Sequence, residues 1–120
     1  MSWHLTADQE ALRARARELA VEVAGPRAAE VDRTEAYPWD VVEALRKEGF
    51  MGMTVPVAYG GLGLSFLDAV LVVEEMAREC GVTGRIAVEA NMGAISAVMA
   101  YGTEDQKRLA AELVLAGDKP

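Results

Sequence analysis

The chain has 120 residues, 52% of them hydrophobic, which suits one domain with a buried core and argues against disorder. A formal net charge of −7 speaks against electrostatic binding to nucleic acid or to an anionic membrane surface. One cysteine, Cys80, excludes an internal disulfide and a cysteine zinc site.

The longest apolar run, Ala69 to Val73, is far too short to cross a bilayer. Met1 to Ala24 is broken by Asp8, Glu10, Arg13, Arg15, Arg17 and Glu18, so it does not read as a signal peptide. The expected location is cytoplasmic. The lone histidine, His4, sits at the terminus. It leaves Cys80 without a nearby base, so Cys80 reads as a buried thiol.

Leu5-Thr6-Ala7-Asp8-Gln9 is a helix start: Thr6 caps the free amides, Gln9 reaches back, and Leu5 acts as the staple. Leu12, Ala16, Leu19, Ala20 and Val23 recur at helical spacing, with the arginines largely off that stripe. Gly25-Pro26 is expected to end or kink this helix, with a short helical piece through Ala28, Ala29 and Val31 after it. Tyr37-Pro38-Trp39-Asp40 opens the next helix with Pro38 in its first turn. Val41, Val42 and Leu45 face inward, and Gly49 is a left-handed stop. Phe50 to Pro56 then runs extended or irregular beneath the core.

Thr54 to Leu64 is the one glycine-dense stretch. Its glycines read as turn geometry, because no Gly-x-Gly-x-x-Gly and no preceding parallel strand accompany them. Ser65 caps the fourth helix with Asp68 at its third position. That helix is nearly all apolar from Phe66 to Val73, which predicts burial on most sides at the centre of a bundle. Glu74 and Glu75 point about 100° apart on a helix, so they do not form a shared ligand set. One of them is expected in solvent or paired with Arg78. A fifth helix is predicted over 81–101. Thr103-Glu104-Asp105-Gln106 is another capping box, and Leu109, Ala110, Leu113 and Val114 form the inward stripe of the last helix. The sum is an all-α bundle of five to six helices occupying residues 1–120 as one domain, with no catalytic constellation and no metal cluster.

The wording and order of these pieces carry more. Pro38-Trp39, Gly49-Phe50-Met51-Gly52-Met53, Tyr59-Gly60-Gly61-Leu62-Gly63, Val73-Glu74-Glu75-Met76-Ala77 and Tyr101-Gly102-Thr103-Glu104-Asp105-Gln106-Lys107 follow in a spacing that resembles the N-terminal helical domain of acyl-CoA dehydrogenases. The resemblance runs from Leu5 to Pro120. It implies a first third of a longer enzyme, with a middle β-barrel and a C-terminal helical domain to follow after Pro120. It implies FAD, bound mainly by those later domains, an acyl-CoA substrate, and an electron-transfer flavoprotein as acceptor. A homo-oligomer, dimer or tetramer, is implied for the full-length protein. In the family, a glutamate base removes a proton next to the thioester carbonyl and a hydride passes from the neighbouring carbon to flavin. No catalytic residue is expected in this segment.

By the same resemblance, Glu89…Asn91-Met92-Gly93 matches the segment lining the inner acyl pocket. Ile86, Glu89, Ala90 and Gly93, spaced i, i+3, i+4, i+7, are the substrate-binding candidates; the competing reading packs this stripe on the fourth helix. Relatives often carry a larger apolar residue at the position of Gly93, so the glycine implies a deeper or wider pocket. Glu89 must be solvated, paired or neutral, and it suits a polar or branched acyl group better than a plain fatty chain. Related acyl-CoA chemistry, desulfination or oxygenation, fits the same segment. A stand-alone helical interaction module is the reading from a different class.

Overall fold

The computed structural model describes residues 4–118. Among them the architecture is all-helical. There are seven α-helices among these residues, of which the first two run on as one rod, and three helices begin at the three capping boxes. Thr6 Oγ1 accepts from the Gln9 amide and Gln9 Oε1 from the Thr6 amide; Ser65 with Asp68 and Thr103 with Gln106 repeat the arrangement. Each exchange satisfies two amides that the helix cannot. Gln9 Nε2 also donates to Asp68 Oδ1 at 3.2 Å, which joins the starts of the first and fourth helices.

The irregularity expected at Gly25-Pro26 is present as a π-helical turn just before it, and the expected second helical piece follows. Helix α1 (Ala7–Leu19) runs through a π-helical turn (Ala20–Ala24) into α2 (Gly25–Thr34). The Gly25 amide donates to the Ala20 carbonyl, five residues back. That wide turn leaves Pro26 in the first turn of α2, where its missing N–H costs nothing. The rod ends at Glu35, whose φ of 56° is left-handed. Arg27 of α2 grips Asp40 with Nε and Nη2 at 2.8 and 3.2 Å. Its guanidinium thereby holds the Asp40 carboxyl below its ordinary value. Helix α3 (Trp39–Lys47) starts one residue later than expected, so Pro38 is its N-cap and is buried. Gly49 takes the left-handed stop, with φ 78°.

Phe50, Met51, Met53 and Val55 are buried beneath the core as an irregular strap. The chain then turns through a short 3₁₀ segment (Val57–Tyr59) and the glycine cluster. Gly61 is obligatory there: a Cβ would overlap the Val55 carbonyl.

Helix α4 (Phe66–Glu79) lies between α1 and α5 (Gly81–Met92). Its buried side is Ala69, Leu71, Val72, Glu75 and Met76. Burial on most sides does not hold, because Phe66, Leu67 and Val70 are exposed: α1 and α5 cover only part of the circumference. Gly84 of α5 abuts α4 so closely that a Cβ would stand 2.6 Å from Ala77 Cβ. The predicted fifth helix is two helices, α5 and α6 (Ala94–Tyr101), parted at Gly93. In α7 (Glu104–Leu115) the inward residues are Ala111 and Val114, while Leu109 is exposed. Leu109 lies a turn and a half from Val114, on the opposite side of the helix.

Candidate functional site

A buried asparagine orders the floor of the domain. Asn91 Nδ2 donates to the Phe50 and Ala87 carbonyls at 2.8 and 2.9 Å, and Oδ1 accepts from the Met53 amide at 2.7 Å. The Asn91 carbonyl accepts from Thr54 Oγ1 at 2.5 Å. One side chain thus satisfies the strap's backbone where no water reaches. The family resemblance places Asn91 in the segment matched to the acyl pocket, whereas the structure gives its side chain to the strap.

The other face of α5 opens on a groove of about 570 Å³ lined by Tyr37, Gly81, Val82, Arg85, Ile86 and Glu89. Tyr37 and Trp39 stack at one edge, ring centroids 4.6 Å apart and tilted by 57°. Burial raises the Tyr37 phenol above its ordinary value, so it is a neutral hydroxyl at physiological pH. Arg85 Nε donates to Glu89 Oε1 at 2.6 Å, and Nη2 pairs with the same oxygen. The Arg85 side chain is 73% exposed and that of Glu89 36%. An exposed pair of this kind adds no more than about 0.5 kcal/mol to stability. The groove therefore offers an apolar wall, one phenol and one guanidinium whose charge is shared with a carboxylate.

The four residues singled out for the acyl pocket separate. Ile86 and Glu89 line the groove. Ala90 is fully buried in the core, and Gly93 forms the joint between α5 and α6. Arg85, Tyr37, Val82 and Gly81 were not among those candidates. Arg85 was reachable as the i−4 partner of Glu89; Tyr37 was not, because it arrives from the connection between α2 and α3.

Outside the groove the acidic pair of α4 and the lone cysteine and histidine form no site. Glu75 is buried and pairs with Arg78 at 3.0 Å and Arg17 at 3.6 Å, while Glu74 is exposed. Cys80 is buried between α4 and α5 and His4 is exposed. Among the described residues no group of three metal-ligating side chains converges, and no helix is long and apolar enough to cross a membrane.

The chain is similar to proteins of one kind. The family model for the acyl-CoA dehydrogenase N-terminal domain matches residues 6–118. A 3-sulfinopropanoyl-CoA desulfinase of Variovorax paradoxus is 62% identical over 118 residues, 98% of this chain and 30% of that protein. A short-chain specific acyl-CoA dehydrogenase of Clostridium acetobutylicum is 37% identical over 108 residues, 90% of this chain and 28% of that protein. A solved chain from work on the electron transferring flavoprotein of Acidaminococcus fermentans superposes with a TM-score of 0.88 at 28% identity, covering 98% of this chain and 31% of that one. The chain thus spans about a third of the length of the relatives it matches, and it belongs to the acyl-CoA dehydrogenase family, whose N-terminal domain it forms.

Proposed function

We propose that this chain is the N-terminal domain of an acyl-CoA enzyme that removes a sulfinate group from the end of a short acyl chain. The observation that carries the reading is the contrast in similarity: 62% identity to a 3-sulfinopropanoyl-CoA desulfinase against 37% to a short-chain dehydrogenase. The chemistry of the groove agrees. An acyl tail ending in −SO₂⁻ needs a short apolar wall followed by a cation, and Ile86, Val82 and Tyr37 with Arg85 supply both. Arginine suits two oxygens on one sulfur because its planar fork donates in parallel. In this reading Ile86 and Glu89 keep their role at the acyl pocket, while Ala90 and Gly93 act behind them by packing and by shaping the end of α5.

Desulfination replaces C–SO₂⁻ by C–H. Water balances it, R–SO₂⁻ + H₂O giving R–H + HSO₃⁻, with the C–S electron pair retained on carbon as it takes a proton. No electrons leave the system, so this reaction needs no electron-transfer flavoprotein. Flavin enters through the family. The glycine turn does not fit a flavin phosphate, because the amides of Gly60, Gly61 and Gly63 already donate to Val57, Pro56 and Val55. FAD, the reacting groups and most CoA contacts are therefore assigned to the domains that follow in the full-length protein. Those domains would cover the exposed Phe66, Leu67 and Val70. A homo-oligomer and a cytoplasmic location belong to the same proposal.

Dehydrogenation is the second reading, favoured by the Clostridium relative. The two separate in one assay of the full-length protein with 3-sulfinopropanoyl-CoA and butanoyl-CoA. Sulfite release without an added electron acceptor is expected, and Arg85→Ala should lower kcat/KM for the sulfinate substrate about 100-fold. Bleaching of flavin by butanoyl-CoA with no sulfite released from the other substrate would overturn the proposal.

A further inference from the structure

We infer that Glu89 is a positioning residue that aims the Arg85 guanidinium at the acyl terminus, and that Gly93 exists to make room for it. The inference rests on the desulfinase reading of the groove. Arg85 is long, exposed and otherwise free to sample many rotamers. Glu89 Oε1 takes its Nε and Nη2, which leaves Nη1 and the outer hydrogen of Nη2 as the donors Glu89 does not engage. A guanidinium held along one edge presents the other edge as a fixed fork, the geometry that two oxygens of one anion require.

The second carboxylate oxygen explains the glycine one turn on. A Cβ at position 93 would overlap Glu89 Oε2 and stand 2.9 Å from Glu89 Cα. Helix α5 ends at this residue, where the Gly93 amide reaches back to the Val88 carbonyl. Any side chain at 93 would push the carboxylate away from Arg85 or shift the last turn of α5. Stability does not account for the arrangement. The pair is solvent-exposed, and its order, arginine before glutamate at i, i+4, is the weaker one on a helix.

The test is a mutant cycle in the full-length enzyme with 3-sulfinopropanoyl-CoA as substrate and propanoyl-CoA as a competitive ligand lacking the sulfinate. Glu89→Ala should raise KM for the sulfinate substrate about tenfold, with kcat and the propanoyl-CoA inhibition constant unchanged. Glu89→Gln keeps an acceptor for Nε and should recover most of that loss. Gly93→Ala should reproduce Glu89→Ala. In an Arg85→Ala background Glu89→Ala should add nothing. Equal losses in both backgrounds, or a matching loss of propanoyl-CoA affinity, would show Glu89 acting on the groove at large and overturn the inference. An unchanged KM in Arg85→Ala alone would overturn the groove reading itself, and this inference with it. Should Gly93→Ala fail to fold, the two Glu89 variants still decide.

Discussion

The two faces of α5 are built to opposite rules. Its inner face, Thr83, Gly84, Ala87, Ala90 and Asn91, is buried without exception. There small residues let α4 approach, and one amide ties down the strap. Its outer face, Gly81, Val82, Arg85 and Glu89, is open; Gly81 has nothing within 4 Å of where its Cβ would stand. The contrast teaches that stability and recognition divide around one helix. Inner residues are held by neighbours that cannot move, whereas the outer pair is held only by each other.

Four substitutions break or sharpen that contrast. Asn91→Ala should have the largest effect, because it leaves the Met53 amide and the Phe50 carbonyl buried and unpaired. A loss of about 3 kcal/mol is expected in chemical denaturation, and a loss under 1 kcal/mol would mean that water replaces the amide. Gly84→Val should follow at about 2 kcal/mol, since the added carbons meet Ala77 across the helix crossing. Thr83→Val should go the other way. Its hydroxyl is buried with no hydrogen-bond partner, so an isosteric methyl should stabilise by about 1 kcal/mol; a loss would reveal a bound water or partner. Arg85→Ala should be smallest, within about 0.5 kcal/mol in the same measurement. A larger loss would place Arg85 among the structural residues and weaken its assignment to substrate.

The capping boxes at Thr6, Ser65 and Thr103 were legible because each is a local exchange between residues three apart. So was the irregular strap expected from Phe50 to Pro56, although its burial stops at Val55 and Pro56 is exposed. The errors share a cause. Gly93 looks like one small residue among several, yet it divides a helix. Phe66 and Leu67 look like core, yet no rod covers them. In each case the deciding neighbour lies in the register of a turn or on another element, not in the composition of the stretch.

The candidate site divides in the same way. Ile86 and Glu89 were found from helical spacing and family likeness. Arg85 could have been found with them, as a neighbour of Glu89 on the same face. Tyr37 was beyond reach, because its place at the groove depends on how the α2–α3 connection, anchored by Arg27 and Asp40, lies against the start of α5. By itself the sequence determined the helical class, the three capped helix starts and the family, since these rest on interactions within a few residues and on motif order. Only the tertiary structure decided which face of α5 is floor and which is groove. That choice depends on which neighbours desolvate each side chain, and those neighbours lie far along the chain.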